Sequence, residues 1–149
     1  MYQLIFLSQW DSQPMTADLD PVLETSRTRD SSGDVSSMFV HWDGNVVGIL
    51  EGSLEGVERA FEGISRDARY AEVEVIAYGI IPFRRFSIDG PGLVDLDPRD
   101  PAREDFVSRH PHLAQTPDCY RDPMLAFALL YDAARSTPHA LAPLEASAT

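Results

Sequence analysis

Met38-Phe-Val-His-Trp-Asp-Gly-Asn-Val-Val-Gly-Ile-Leu-Glu-Gly52 is the stretch on which the fold turns. Two apolar runs, Met38–Trp42 and Val46–Leu50, flank Asp43-Gly44. That pair suits the positive backbone dihedrals of a tight hairpin turn. The second run closes on Leu50-Glu51-Gly52, and Ser53 follows as a helix N-cap. Leu54, Val57, Ala60, Phe61 and Ile64 recur at helical spacing and predict one buried face.

Outward from this hairpin, Leu4-Ile5-Phe6-Leu7 marks a first strand over Tyr2–Ser8. A polar loop, Gln9–Met15, leads to a helix with two possible starts: Thr16 as cap, or Asp20 as cap with Pro21 in the first turn. Its inner face is Leu19, Val22 and Leu23, and it fades by Arg29. After the second helix, Val73–Ile81 reads as a central strand, and Pro82 interrupts it. Phe83–Ile88 reads as a short strand or bulge. Strand, helix, hairpin, helix, strand is an α+β, ferredoxin-like order: an antiparallel sheet with two helices on one face. Composition changes at Leu96-Asp-Pro-Arg-Asp-Pro101, which divides a domain over 1–96 from a linker and helical extension over 97–149. Within the extension, Ala102–Arg109 and Pro123–Arg135 read as helices. The latter is apolar on most sides and must bury itself against the sheet's free face or in a partner.

The chain has 149 residues, 44% of them hydrophobic and 24% charged, as expected of a soluble globular domain. No apolar run reaches the roughly 20 residues of a membrane span, and the N-terminus lacks a basic leader. The expected compartment is the cytoplasm. A formal charge of −12 excludes a sequence-independent grip on nucleic acid. All twelve cations are arginines, which removes lysine-based covalent chemistry. Such acidity serves solubility, or a basic partner. Cys119 is alone, which excludes an internal disulfide and leaves a buried spectator thiol as the expectation.

Leu4-Ile-Phe-Leu-Ser8, Gly44-Asn-Val-Val-Gly-Ile-Leu-Glu-Gly52, Ile64-Ser-Arg-Asp-Ala-Arg69 and Arg85-Phe86 occur in an order and spacing that resemble the BLUF family, blue-light sensors that use a flavin. The resemblance covers about residues 1–95. It implies a BLUF-like ferredoxin fold, FAD or FMN as the cofactor to consider, and a flavin pocket at Phe6, Ser8, Arg29, Asp30, Gly48, Gly63, Asp67 and Arg69. Several of these depart from the family's pattern. The family's electron-donating tyrosine falls on Phe6, which has no hydroxyl, and its signalling glutamine falls on Gly48. Its polar pair at the isoalloxazine edge falls on Arg29-Asp30, its second-helix arginine on Gly63, and its last-strand Trp/Met pair near Asp89–Pro91. Ser8, Asp67 and Arg69 match the pattern. With tyrosine and glutamine both gone, the hydrogen-bond network that carries the light signal has no members. The resemblance therefore implies no retained cofactor, with FAD or FMN as the alternative.

Other constellations are weaker. His110-Pro111-His112 offers two imidazoles, but in an extended loop. Asp95-Leu-Asp-Pro-Arg-Asp100 lacks the central glycine of a calcium loop and reads as a solvated acidic linker. Arg84-Arg85 is similar to the anion-binding arginine of acylphosphatases, but Ser8-Gln-Trp-Asp11 has no glycine-rich phosphate cradle. Trp42 at the hairpin and Trp10 after the first strand are interface anchors or covers for the sheet's end.

The expected function is thus that of a non-enzymatic BLUF-like regulatory domain that has lost light sensing and acts through protein contacts. Its rivals are a flavin photoreceptor with altered chemistry, a small acylphosphatase-like hydrolase and a structural homodimer built on Pro123–Arg135. A single void is also expected where Gly48 and Gly63 replace larger side chains, unless it is repacked.

Overall fold

The computed structural model describes residues 1–10, 35–87, 92–96, 98–137 and 140–142. The helix expected before Arg29 lies outside these residues, as do Arg29, Asp30 and Asp89–Pro91. The strands are β1 (Tyr2–Trp10), β2 (Ser36–Trp42), β3 (Asn45–Gly52), β4 (Tyr70–Ile80) and β5 (Gly92–Asp95). The helices are α1 (Leu54–Arg66), α2 (Ala102–Arg109) and α3 (Pro123–Arg135).

Asp43 and Gly44 have φ of 46° and 77°, the paired positive values of a hairpin turn. Ser53 caps α1, its Oγ accepting from Gly56 N at 3.0 Å. Val57 and Ile64 are buried and Ala60 and Phe61 partly so. Leu54, expected on that face, is exposed at the first helical position.

The sheet order is β4-β1-β3-β2-β5. Two features differ from expectation. The strand read as central is β4, which among the described residues lies at an edge, paired only with β1. The sheet is mixed rather than wholly antiparallel, because β5 runs parallel to β2, from Met38↔Gly92 to His41↔Asp95. Phe83–Ile88 is no strand in its described part: Phe86 makes one isolated bridge to Leu141.

Strand alternation divides the interior into two cores, one on each face. Leu4, Phe6, Trp10, Phe39, Val46, Leu50 and Tyr70 pack with Val57 and Ile64 of α1. Ile5, Leu7, Met38, Val40, Trp42, Val47 and Ile49 pack with Ala126, Leu129, Leu130 and Ala133 of α3. β3 is buried from Val46 to Gly52 because it feeds both cores. The C-terminal helix thus covers the sheet's free face. Asp122 caps it, its Oδ1 accepting from Met124 N at 2.9 Å, with Pro123 in the first turn.

Glu51 fastens the segment after β4. It is fully buried; its Oε1 accepts from Arg85 N at 2.9 Å and Phe86 N at 2.8 Å, and its Oε2 from Gln3 Nε2 at 2.9 Å. Arg84 Nη1 donates to Ser36 Oγ at 2.6 Å and Glu51 O at 3.1 Å. The glutamate of the Leu-Glu-Gly strand end therefore satisfies buried backbone donors, a task independent of any cofactor.

Candidate functional site

Phe6 on β1 and Phe39 on β2 both oppose Gly48 on β3, so the three share one rung of the sheet. All face α1. A Cβ at position 48 would lie 2.5 Å from Phe6 Cζ and 2.9 Å from Phe39 Cδ1. Ordinary contact begins near 3.4 Å. The void expected over Gly48 is therefore filled by the ring of Phe6. That ring is fully buried and sits in an aromatic box: centroids lie 6.2 Å from Phe39, 6.1 Å from Phe61 and 6.2 Å from Tyr70. Trp10 extends the box, edge-on to Tyr70 at 5.0 Å.

The other pocket positions have local partners. Ser8 is buried where β1 meets a bulge in β4, and its hydroxyl donates to Ala71 O at 2.7 Å. Gly63 is half-buried in the last turns of α1. Asp67 ends α1 and grips Arg69, accepting from its backbone N and Nε at 3.0 Å and from Nη2 at 2.7 Å. The Arg69 guanidinium lies over the Trp10 ring, 5.6 Å from its centroid. The structure thus gathers Phe6 and Gly48 in one rung and joins Asp67 to Arg69. At the first two positions a phenyl ring and a hydrogen offer a flavin neither hydroxyl nor amide.

Sequence reasoning did not bring Tyr70 and Trp10 into this site. Both are at least nine-tenths buried, yet among the described residues Tyr70 OH and Trp10 Nε1 have no hydrogen-bond partner. Burial first, then the nearby Asp67 carboxylate, raises the Tyr70 phenol well above its ordinary range, so it stays a protonated donor. The available signal was their type: aromatic residues with polar tips at strand ends.

The remaining candidates resolve locally. Trp42 and Trp10 are buried, so each covers the sheet rather than standing out as an anchor. Asp95 is no solvated linker residue: it pairs with buried His41, Oδ1 to Nδ1, at 2.9 Å. His110 Nε2 lies 2.7 Å from Asp132, while His112 Nδ1 meets Gln115 at 3.2 Å. Among the described residues no three potential ligands converge on a metal. Burial pushes Asp132 up, but bonds from Arg109 and His110 outweigh it and leave the carboxyl below its ordinary value. Cys119 is half-buried rather than buried. Among the described residues, no helix is long and apolar enough to cross a membrane.

The architecture is that of an α+β, ferredoxin-like domain. Residues 1–89 match the family described as BLUF, sensors of blue light using FAD, and the chain belongs to that family. Among curated proteins none matches. Solved structures agree on the fold. A dark-state structure of BlrB, a BLUF protein, aligns with TM-score 0.69 and 20% identity over 91% of this chain and 95% of that one. The photo-activated state of BlsA gives 0.61 and 22% over 84% and 94%. A bacterial light-regulated adenylyl cyclase gives 0.62 and 15% over 77% of this chain, which spans only 34% of the cyclase.

Proposed function

We propose that this chain is a BLUF-family regulatory domain that signals through protein contacts and no longer through blue-light photochemistry. One observation carries the reading: the Phe6 ring occupies the space that any side chain at position 48 would need. The family's signal, as the resemblance implies, is a rearranged tyrosine–glutamine–flavin network. Phe6 and Gly48 do not fit that network, and no step is routed through a flavin here. A sheet packed on both faces supports a domain held in one state, whose surface meets a partner without a light-driven switch. Fusion of the fold to a cyclase in a similar structure supports a regulatory rather than catalytic role. Of the two arginines a hydrolase would use, Arg84 is engaged with Ser36 and the Glu51 carbonyl, and Arg85 lies over the Phe83 and Phe127 rings. The acidic chain suits a basic protein partner in the cytoplasm, and not nucleic acid directly or a membrane.

A second reading rests on the two orphan donors. Tyr70 OH and Trp10 Nε1 beside Phe6 would suit a planar ligand with carbonyl acceptors, FAD or FMN included, held without the family's photochemistry. Incubating the purified protein with excess FAD or FMN, desalting it and recording the visible spectrum separates the two. A colourless protein is expected from the first reading; retained flavin bands would replace it with the second.

A further inference from the structure

β4 is bordered by β1 on one side, and among the described residues no strand pairs with its other side. An edge strand presents a row of backbone donors and acceptors, and natural edges are usually guarded by charge. Here the guard covers only half. Glu72 and Glu74 stand in the first part, but Val75 to Ile80 contains no charged residue. Val75, Tyr78 and Ile80 are 45%, 45% and 75% exposed. On the α3 face, beside this unguarded half, runs a largely apolar groove of about 310 Å³ lined by Gln3 and by Ile5, Ala77, Pro123, Met124, Phe127 and Ala128. Met124 is 82% exposed, so α3 buries one side and leaves the other open along the groove.

A bare strand edge beside a helix-walled apolar groove is the geometry of strand addition, in which main-chain bonds hold an extended segment and alternate side chains fill the groove. Charge selects the occupant. On the α1 side Glu58 accepts from Tyr78 OH at 3.2 Å; at the first end of the strand Glu72 and Glu74 stand on the Arg121 side, where Arg121 pairs with Glu74. A second copy would bring another chain of charge −12, without lysine, to this acidic neighbourhood, and the two would repel. We propose that the β4 edge and its groove receive an extended segment of a different protein, with apolar side chains alternating with lysine or arginine. Its apolar residues lie toward Met124 and Phe127, and its cations toward Glu58. The proposal rests on the reading of the chain as a protein-binding domain and names its surface.

The probe is a fluorescein-labelled heptapeptide of alternating lysine and valine, titrated by anisotropy into the full chain. One control carries proline at the central valine, which cannot complete the ladder; another carries glutamate for lysine. Saturable binding below about 1 mM is expected. It should weaken about tenfold or more with the proline peptide, with Ala128→Arg and with Met124→Arg, both at exposed helix positions. It should also weaken as salt rises, and slow hydrogen exchange in β4. No binding, equal binding of the proline peptide, or unchanged affinity in both variants would overturn the proposal. These outcomes are read independently of flavin colour, so the failure of this surface and the failure of the light-independent reading remain distinct.

Discussion

Gly48→Ala is the smallest perturbation that probes the filled site. The added methyl would sit 2.5 Å from Phe6 Cζ and 2.9 Å from Phe39 Cδ1, so the Phe6 ring must retreat by about 1 Å to reach ordinary contact. Phe39, Phe61 and Tyr70 box that ring, so it has no free direction. Overpacking of this kind costs about 1–3 kcal/mol. The reduced freedom of the unfolded chain returns about 0.4–1 kcal/mol. A net loss of about 1–2 kcal/mol is expected. Phe6→Leu removes the offending ring atoms and costs about 2 kcal/mol alone, at about 0.8 kcal/mol per carbon lost from the core. In the Phe6→Leu background only the Phe39 contact at 2.9 Å remains, so Gly48→Ala costs clearly less than in the parent. The assay is urea unfolding of the four proteins as a double-mutant cycle. Additivity within about 0.5 kcal/mol would refute the claim that Phe6 fills the space over Gly48.

Three further outcomes follow from polar groups within the fold. Glu51→Ala strands the Arg85 and Phe86 amides and should cost about 3 kcal/mol or more in urea unfolding, whereas Glu51→Gln keeps an acceptor and costs about 1 kcal/mol; equal losses would contradict the assignment. Tyr70→Phe removes a buried hydroxyl that has no partner among the described residues, and should leave stability unchanged or raise it by about 1 kcal/mol at neutral pH. Burial, aided by the Cys119 thiol, pushes Tyr120 up to about 12 and raises Tyr70 further. Both phenols thus support the fold fully below pH 10, and that support is lost as pH rises through their folded values. Tyr70→Phe should flatten this alkaline limb of a stability–pH profile, and an unchanged limb would contradict it. Asp132 has a depressed folded value, so its bonds to Arg109 and His110 stabilise above the ordinary carboxylate range and are lost as pH falls through it. Asp132→Asn should therefore lower the melting temperature at pH 7 and match the parent in strong acid; a deficit independent of pH would rule out the charge as its source.

The parts of the fold legible in the sequence are those set by local chemistry. Asp43-Gly44 sets the hairpin turn, Ser53 and Asp122 start helices, and the unbroken apolar run of β3 marks a strand buried on both faces. Non-local pairing was less legible. Alternation in Val73–Ala77 marks a strand but not its neighbours, so the edge position of β4 was missed, as was the parallel β5. The filled site depends on register: only once Phe6 and Phe39 are seen to oppose Gly48 does the glycine cease to be a vacancy. The His41–Asp95 pair joins residues more than fifty positions apart, and nothing near either predicts the other. Family resemblance supplied the positions, and packing shows what stands there.

The most direct test is the light-minus-dark absorption difference of the full chain in saturating FAD under blue light. A flat difference spectrum, with free-flavin bands alone, is what a Phe6 ring over Gly48 predicts. A reversible red shift of protein-bound flavin would contradict it and require a hydrogen-bond network that these two residues do not contain.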